Sequence, residues 1–170
     1  MRRLPTRLGG PTPPCVKVPR PPPASSPAVT AVMKANRARN TGPELALRKS
    51  LRDAGIRGYR LSPPGIPGRP DITFPRLRLA AFVHGCFWHQ HGCRTASHRP
   101  KTNISYWNLK FALNRTRDAK KIASLQNSGW RVLTFWECEI NRDAAQCARR
   151  VTEVLDRPRR LIPKAIYPAN

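Results

Sequence analysis

The ten residues His84-Gly85-Cys86-Phe87-Trp88-His89-Gln90-His91-Gly92-Cys93 hold three of the chain's four histidines and two of its five cysteines. Thiolate and imidazole are the donors zinc takes, four at a time in a structural tetrahedron. Cys86, His91 and Cys93 are near enough in sequence to share one ion, and Cys138, directly after an apolar stretch, is the obvious fourth donor. A site with all four positions filled pins a loop and does no catalysis. The plainer alternative is that the cysteines are small buried hydrophobes and the histidines surface groups. With those four assigned to a metal, His84 and His89 remain for proton transfer near neutral pH.

The chain has only nine carboxylates. Asp71 follows Pro67-Gly68-Arg69-Pro70, a stiff turn that would aim its side chain, and opens a strand. In so basic a protein it is a natural magnesium ligand; its other reading is a capped turn. Phosphodiester hydrolysis needs an activated water, charge neutralisation and a protonated leaving oxygen. Asp71 with magnesium, together with His89, could supply these. Phe87 and Trp88 flank the histidine in what reads as an exposed loop. They are either core aromatics or apolar wedges of the kind that enter between base steps. Lys110, Arg115, Arg117, Lys120 and Lys121, with Arg94, Arg99 and Lys101, could grip phosphates.

The elements that must position these groups are legible as patterns. Thr41-Gly42-Pro43-Glu44 has the cap, early proline and third-residue acid of a helix start, and Gly55 ends that helix. Residues 59–61 and 71–74 read as short strands. Leu77 to Val83 reads as an apolar strand interior to a sheet. A basic loop over 92–103 leads to a long helix over 105–127, a buried strand over 130–136 and a last helix over about 142–155. The order helix, strands, helix, strand, helix predicts a small mixed α/β sandwich. Residues 29–157 are the expected domain, preceded by a proline-rich disordered leader over 1–28 and followed by a basic tail over 158–170.

Lys+Arg 32 against Asp+Glu 9 gives a formal charge of +23 over 170 residues. Such a surplus points to a polyanionic partner, with nucleic acid the default. No run of about 18 apolar residues offers a membrane span. Five cysteines, an odd number at metal-like spacings, argue for a reducing cytosol and against a disulfide framework.

Several blocks taken together resemble the very short patch repair (Vsr) endonucleases. They are Asn40-Thr41 with Glu44, Pro67 to Asp71, Phe82 to His89 with His91 and Cys93, Tyr106-Trp107, Asn114 with Asp118, and Gly129 to Leu133 with Trp136-Glu137-Cys138. The resemblance implies a restriction-endonuclease-like fold, a mixed sheet flanked by helices with a structural zinc site. It implies a magnesium-dependent single-strand cut on the 5′ side of the thymine in a T·G mismatch arising from 5-methylcytosine deamination. A cytosine-5 DNA methyltransferase would be the genetic companion, and the protein would act as a cytoplasmic, nucleoid-associated monomer. Carried over by motif, Asp71 and Val83 would hold magnesium, His89 would do general acid/base work, and His84 and Glu44 would support it. Val83 stands where a family member carries Thr; valine serves if a main-chain carbonyl is the ligand, and not if a hydroxyl is needed. Cys86, His91, Cys93 and Cys138 match the zinc ligands. Met33, Phe87 and Trp88 match the residues that wedge into the duplex, and Trp107, Lys110 and Asn114 belong to the same DNA-binding surface. The competing reading is a non-catalytic zinc-dependent DNA-binding module, against which the intact Pro-Gly-Arg-Pro-Asp sequence speaks.

Overall fold

Leu79-Ala80-Ala81-Phe82-Val83 is apolar without a break because both faces of that strand are covered, the situation that erases polar–apolar alternation. Leu79 and Ala81 face one core with Leu47, Leu51, Phe74, Phe135 and Val151, while Ala80 and Phe82 face another with Ile122 and Leu125. The structure is a computed structural model and describes residues 18–156 except 25 and 98.

The four-stranded sheet has the order β1 (Arg60–Leu61), β2 (Ile72–Phe74), β3 (Leu79–His84), β4 (Arg131–Trp136). The β1–β2 and β2–β3 pairs are antiparallel and β3–β4 is parallel, in a register running from Leu79 opposite Arg131 to His84 opposite Trp136. A parallel pair needs a long crossover, and the long helix α4 (Ile104–Asn127) supplies it, covering one face of the sheet. Helices α2 (Gly42–Asp53) and α5 (Glu137–Asp156) pack together over the other face. The remaining helices are α1 (Pro27–Ala35), which buries none of its residues, and the single turn α3 (Cys86–His89). The mixed sheet with helices on both faces is the expected fold class.

Three local expectations need correction. The strand expected from Leu77 begins at Leu79, since Pro75–Leu77 form a 3-10 turn and Arg78 is left-handed at φ 47°. The last helix starts at Glu137, five residues early. Glu139 reaches back to accept the Trp136 N–H at 3.0 Å, half of a capping box. The helix then breaks at Asp143 (φ −157°), whose carboxylate caps Gln146 N–H at 2.8 Å and begins the segment the pattern did show. At α2 the Thr41 hydroxyl does not cap the backbone; it donates to Glu44 Oε1 at 2.9 Å. Of the expected leader, residues 1–17 lie outside the described residues, 18–24 carry no helix or strand, and Pro27 opens α1. The expected tail lies wholly outside them.

Leu51 is fully buried between the sheet and α5. Leu51→Ala should cost about 2–5 kcal/mol through lost transfer energy and the cavity left behind. Urea unfolding would show it as a lower midpoint at unchanged slope, and a shift under about 0.5 kcal/mol would contradict this packing.

Candidate active site

Because β2 runs against β3 while β4 runs with it, the start of β2 and the ends of β3 and β4 meet at one end of the sheet. That end brings together Asp71, the segment after His84, and Glu137-Cys138.

One cluster forms where β3 and β4 leave the sheet. Cys86 starts α3, and Gln90 in the left-handed region (φ 53°) turns the chain so that His91 N–H donates back to Cys86 O at 3.1 Å. Across the parallel register, Glu137 Oε2 accepts the Cys86 N–H at 3.1 Å, and the Cys138 N–H points to Cys86 Sγ at 3.4 Å. His91 Nδ1 lies 3.8 Å from Cys86 Sγ and 3.4 Å from Cys138 Sγ, and the donor atoms of Cys86, His91, Cys93 and Cys138 all lie within 4.8 Å of one another. A tetrahedral site with bonds of about 2.0–2.3 Å has edges of roughly 3.5–3.8 Å, so this donor set could hold a metal ion. Its proton balance favours one. Burial pushes the Cys86 thiol up to about 12. Cys93 sits near 6, because the Ala96 N–H and bonds from His91, Cys86 and Cys138 outweigh its own burial. Thiols that compete in this way for a single negative charge are relieved by a divalent cation. His91 is braced by Trp136, stacked at 4.3 Å and 10°.

The second cluster lines a cleft between this end of the sheet and α4, overhung by α1. Asp71 Oδ2 accepts the Val83 N–H at 2.7 Å. Burial pushes the Asp71 carboxyl up to about 6; the charge of Glu44 adds to the shift, while Val83, Lys121 and His89 oppose it. Glu44 itself is held by the Asn40 N–H (3.0 Å), the Thr41 hydroxyl (2.9 Å) and Arg48 Nη2 (3.5 Å). His84 continues the α4-facing side of β3 and stacks on His89 at 4.1 Å and 3°. Burial, reinforced by the facing His89, brings His84 down to about 3, so it is neutral at working pH.

His89 Nδ1 bonds Asp118 Oδ2 at 2.5 Å. Burial tends to raise the Asp118 carboxyl, but the hydrogen bond and charge of His89 outweigh it and hold Asp118 below its ordinary value. An ionised carboxylate can only accept, so Nδ1 carries the proton in this bond and Nε2 is the ring nitrogen that faces away from Asp118. His84, His89 and Asp118 also offer three donors within 4.8 Å of one another. Face-to-face imidazoles have parallel lone pairs, however, and these do not converge on one ion. Proton transfer suits this trio better than metal binding.

The family described as "DNA mismatch endonuclease Vsr" matches residues 27–95. The chain is 46% identical over 125 residues to the type II nicking enzyme V.XorIIP of Xanthomonas oryzae pv. oryzae, covering 74% of this chain and 90% of that one. It is 36% identical over 124 residues to the DNA mismatch endonuclease Vsr of Escherichia coli K12, covering 73% and 78%. The chain belongs to the Vsr endonuclease family. Membership makes it a DNA endonuclease, and one cleft of the structure brings Asp71, His84, His89 and Asp118 together.

The remaining site residues expected from sequence fall into two groups. Glu44, Met33, Val83, Phe87, Trp88 and Trp107 line the same cleft as Asp71, His84 and His89. Phe87 and Trp88 do not sit in an open loop, as their neighbours suggested. They stand on α3, half-buried, with Phe87 edge-on to Trp107 (5.8 Å) and Phe111 (5.3 Å) and Trp88 tilted on Trp107 (6.1 Å). Lys110 Nζ lies 5.4–5.5 Å from the Trp88, Tyr106 and Trp107 rings and donates to Tyr106 Oη at 3.1 Å. Asn114 is 8% exposed, and its amide is occupied: Nδ2 donates to Trp88 O at 3.1 Å and Oδ1 accepts from Arg117 at 2.9 Å. In this state it supports α3 rather than presenting an open surface.

Sequence reasoning assigned no role to three residues that the geometry brings in. Asp118 fixes His89, Glu137 ties α3 to the end of β4, and Arg48, 8% exposed, clamps Glu44 and accepts nothing in return, donating also to Asn40 Oδ1 at 2.8 Å. The signal for Asp118 was its place on the buried stripe of α4, in phase with Phe111, Asn114, Ile122 and Leu125.

Proposed function

We propose that this Vsr-family endonuclease nicks one strand of duplex DNA on the 5′ side of the thymine in a T·G mismatch, by magnesium-dependent hydrolysis, with zinc as the structural ion at Cys86, His91, Cys93 and Cys138. The observation that carries the reading is the Asp118-fixed His89 sharing one cleft with Asp71, beside an aromatic cluster large enough to meet an unstacked base step.

The donors at Asp71 fit a hard cation. The carboxyl is half-buried beside Glu44, and a divalent ion offsets both costs. The Val83 N–H points at Asp71, and in extended backbone the carbonyl of the same residue leaves on the same edge, so Val83 needs no hydroxyl to serve as a ligand. Magnesium held there would supply an acidified water and charge neutralisation at the phosphate. The chain's own residues do the rest. Nε2 of His89 takes the proton of the attacking water, and Asp118 holds the ring in the required tautomer and stabilises the imidazolium that results. His84, neutral and stacked behind His89, fixes its plane without adding charge. Glu44, clamped by Arg48, keeps a second carboxylate facing Asp71. Phe87, Trp88, Trp107 and Met33 enter the duplex at the mismatch, with Lys110 and Asn114 beneath them.

The formal charge of +23 supports a polyanionic partner. Among the described residues no helix is long and apolar enough to cross a membrane. We place the enzyme at the nucleoid in the cytoplasm, working as a monomer on lesions left by a cytosine-5 methyltransferase.

Duplexes labelled on either strand, carrying T·G, T·A or C·G at one position, test this directly. A single nick in the T strand of the T·G duplex is expected, with 3′-hydroxyl and 5′-phosphate ends. Equal cutting of the T·A duplex would refute the mismatch specificity, and binding without cutting would return the protein to the DNA-binding-module reading.

The Asp71 shift sets a pH dependence. Its carboxyl, raised to about 6, is protonated below that pH and ionised above it, and only the ionised form takes magnesium. Apparent magnesium affinity should therefore fall about tenfold per pH unit below 6 and level off above it. A magnesium titration of single-turnover nicking between pH 5 and 8 reads this out, and a flat affinity through pH 5 would contradict it.

A further inference from the structure

Lys121 lies on the cleft side of α4: positions 110, 114, 118 and 121 follow helical spacing, and Lys121 falls in phase with Asp118 and Asn114. Its root is fixed by the turn that aims Asp71. Gly68, at φ 75°, comes so close that a Cβ added there would stand 2.8 Å from Lys121 Cβ, so the turn before β2 rests directly on this residue. Its tip, in contrast, is free to act. The ammonium lies 3.9 Å from Asp118 Oδ1, beyond hydrogen-bond length, and the side chain is 35% exposed. The other oxygen of Asp118 is bonded to His89. A pair this long and this exposed contributes little to stability, so holding Asp118 in place does not account for the lysine. Its charge is nonetheless felt at Asp71, Asp118 and His84.

The cleft also poses an electrostatic problem. In a chain of +23, the residues lining it include the carboxyls of Glu44, Asp71, Asp118 and Glu137, which repel a phosphodiester, and among the basic residues that also line it Lys121 is the one set against both Asp118 and the turn before Asp71. Lys120, next to Lys121, is exposed and does not line the cleft. Lysine is a compact charge with three donors, suited to one non-bridging oxygen.

We propose that Lys121 is a catalytic residue whose ammonium binds a non-bridging oxygen of the phosphodiester being cut. This rests on the nuclease reading above. In the step itself the water oxygen forms a bond to phosphorus as its proton passes to Nε2 of His89, the bond from phosphorus to the 3′ oxygen breaks with its electron pair going to that oxygen, which takes a proton from solvent water to leave as the 3′-hydroxyl, and the lysine stays protonated throughout. It offsets the charge that gathers on the non-bridging oxygens.

The test pairs a residue change with a substrate change. Wild type, K121Q and K121R are compared on a T·G duplex for single-turnover nicking in saturating magnesium. Affinity is measured in magnesium-free buffer, for the ordinary duplex and for one carrying a neutral methylphosphonate at the cleaved linkage. K121Q should nick about 100-fold slower than wild type, in the range seen when one preorganised donor to a reacting oxyanion is removed. K121R should recover part of that rate. Wild type should lose roughly tenfold in affinity on the methylphosphonate, the loss of one charged contact, and K121Q should lose none. If K121Q nicks at the wild-type rate, or loses as much on the methylphosphonate as wild type does, the proposal fails while the nuclease reading stands. If wild type itself does not nick the T·G duplex, both fall.

Discussion

Asp71→Asn should give a protein that folds, binds duplex DNA and fails to cut it. The amide oxygen of asparagine can still accept the Val83 N–H that Asp71 accepts at 2.7 Å, so the start of β2 keeps its tie to β3. What disappears is the charge. A neutral amide is a poor ligand for a hard divalent cation, and the acidified water and the neutralised phosphate are lost with the ion. The expected loss in single-turnover nicking is at least about 1,000-fold, ~4 kcal/mol of transition-state stabilisation. Binding should be unchanged or slightly tighter, because an anion has been removed from a surface that meets phosphates. A variant that nicks within tenfold of wild type would show that the metal is held elsewhere. A variant that neither binds nor melts normally would show that Asp71 is a structural cap, which is the plainer reading of its turn.

Cys138→Ser tests the other centre. The cysteine is joined to the 86–93 segment by sulfur and nitrogen contacts of 3.4 Å, to His91 Nδ1 and Cys86 Sγ, across the only parallel register among the described strands. Removing one of four donors should weaken zinc at least about 100-fold, ~3 kcal/mol, and metal binding of this kind is coupled to folding. At a few degrees per kcal/mol for a domain of this size the melting midpoint should fall by roughly 10 °C. Nicking should fall with it, since α3 carries both Cys86 and His89 and a loosened turn no longer presents the imidazole. Full zinc content at an unchanged midpoint would mean that another residue completes the tetrahedron.

The parts of this molecule that could be read from sequence are those where one requirement acts alone. Leu79 to Val83 is buried on both faces, so nothing interrupts its apolar run. The zinc-type donors stand out because cysteine and histidine so closely spaced have few other uses. Asp71 stands out because prolines fix the turn before it. Where two requirements share a residue the pattern blurs. Phe87 and Trp88 pack against Trp107 and Phe111 on one side and line the cleft on the other, so neither a core nor a surface pattern describes them. Asp118 occupies a position that periodicity assigns to an apolar side chain, and its partner His89 is 29 residues away, a pairing fixed only when α3 docks on α4. The first turn of α5 was missed because its capping acid, Glu139, follows the N-cap Trp136 inside a run that otherwise reads as strand. Arg48 shows the same limit: a buried arginine on a helix looks like a solvated one until Glu44 and Asn40 are placed beside it.

The central claim is that strand cutting occurs in this cleft and depends on a cation held at Asp71. The most direct measurement takes the zinc-loaded protein in buffer stripped of other divalent ions, mixes it in excess with an end-labelled T·G duplex, and follows the T strand before and after magnesium is added. A single nick that appears only with magnesium, and is absent in Asp71→Asn under the same conditions, is the predicted result. Cutting at full rate before any magnesium is added, or equal cutting by the asparagine variant, would contradict it.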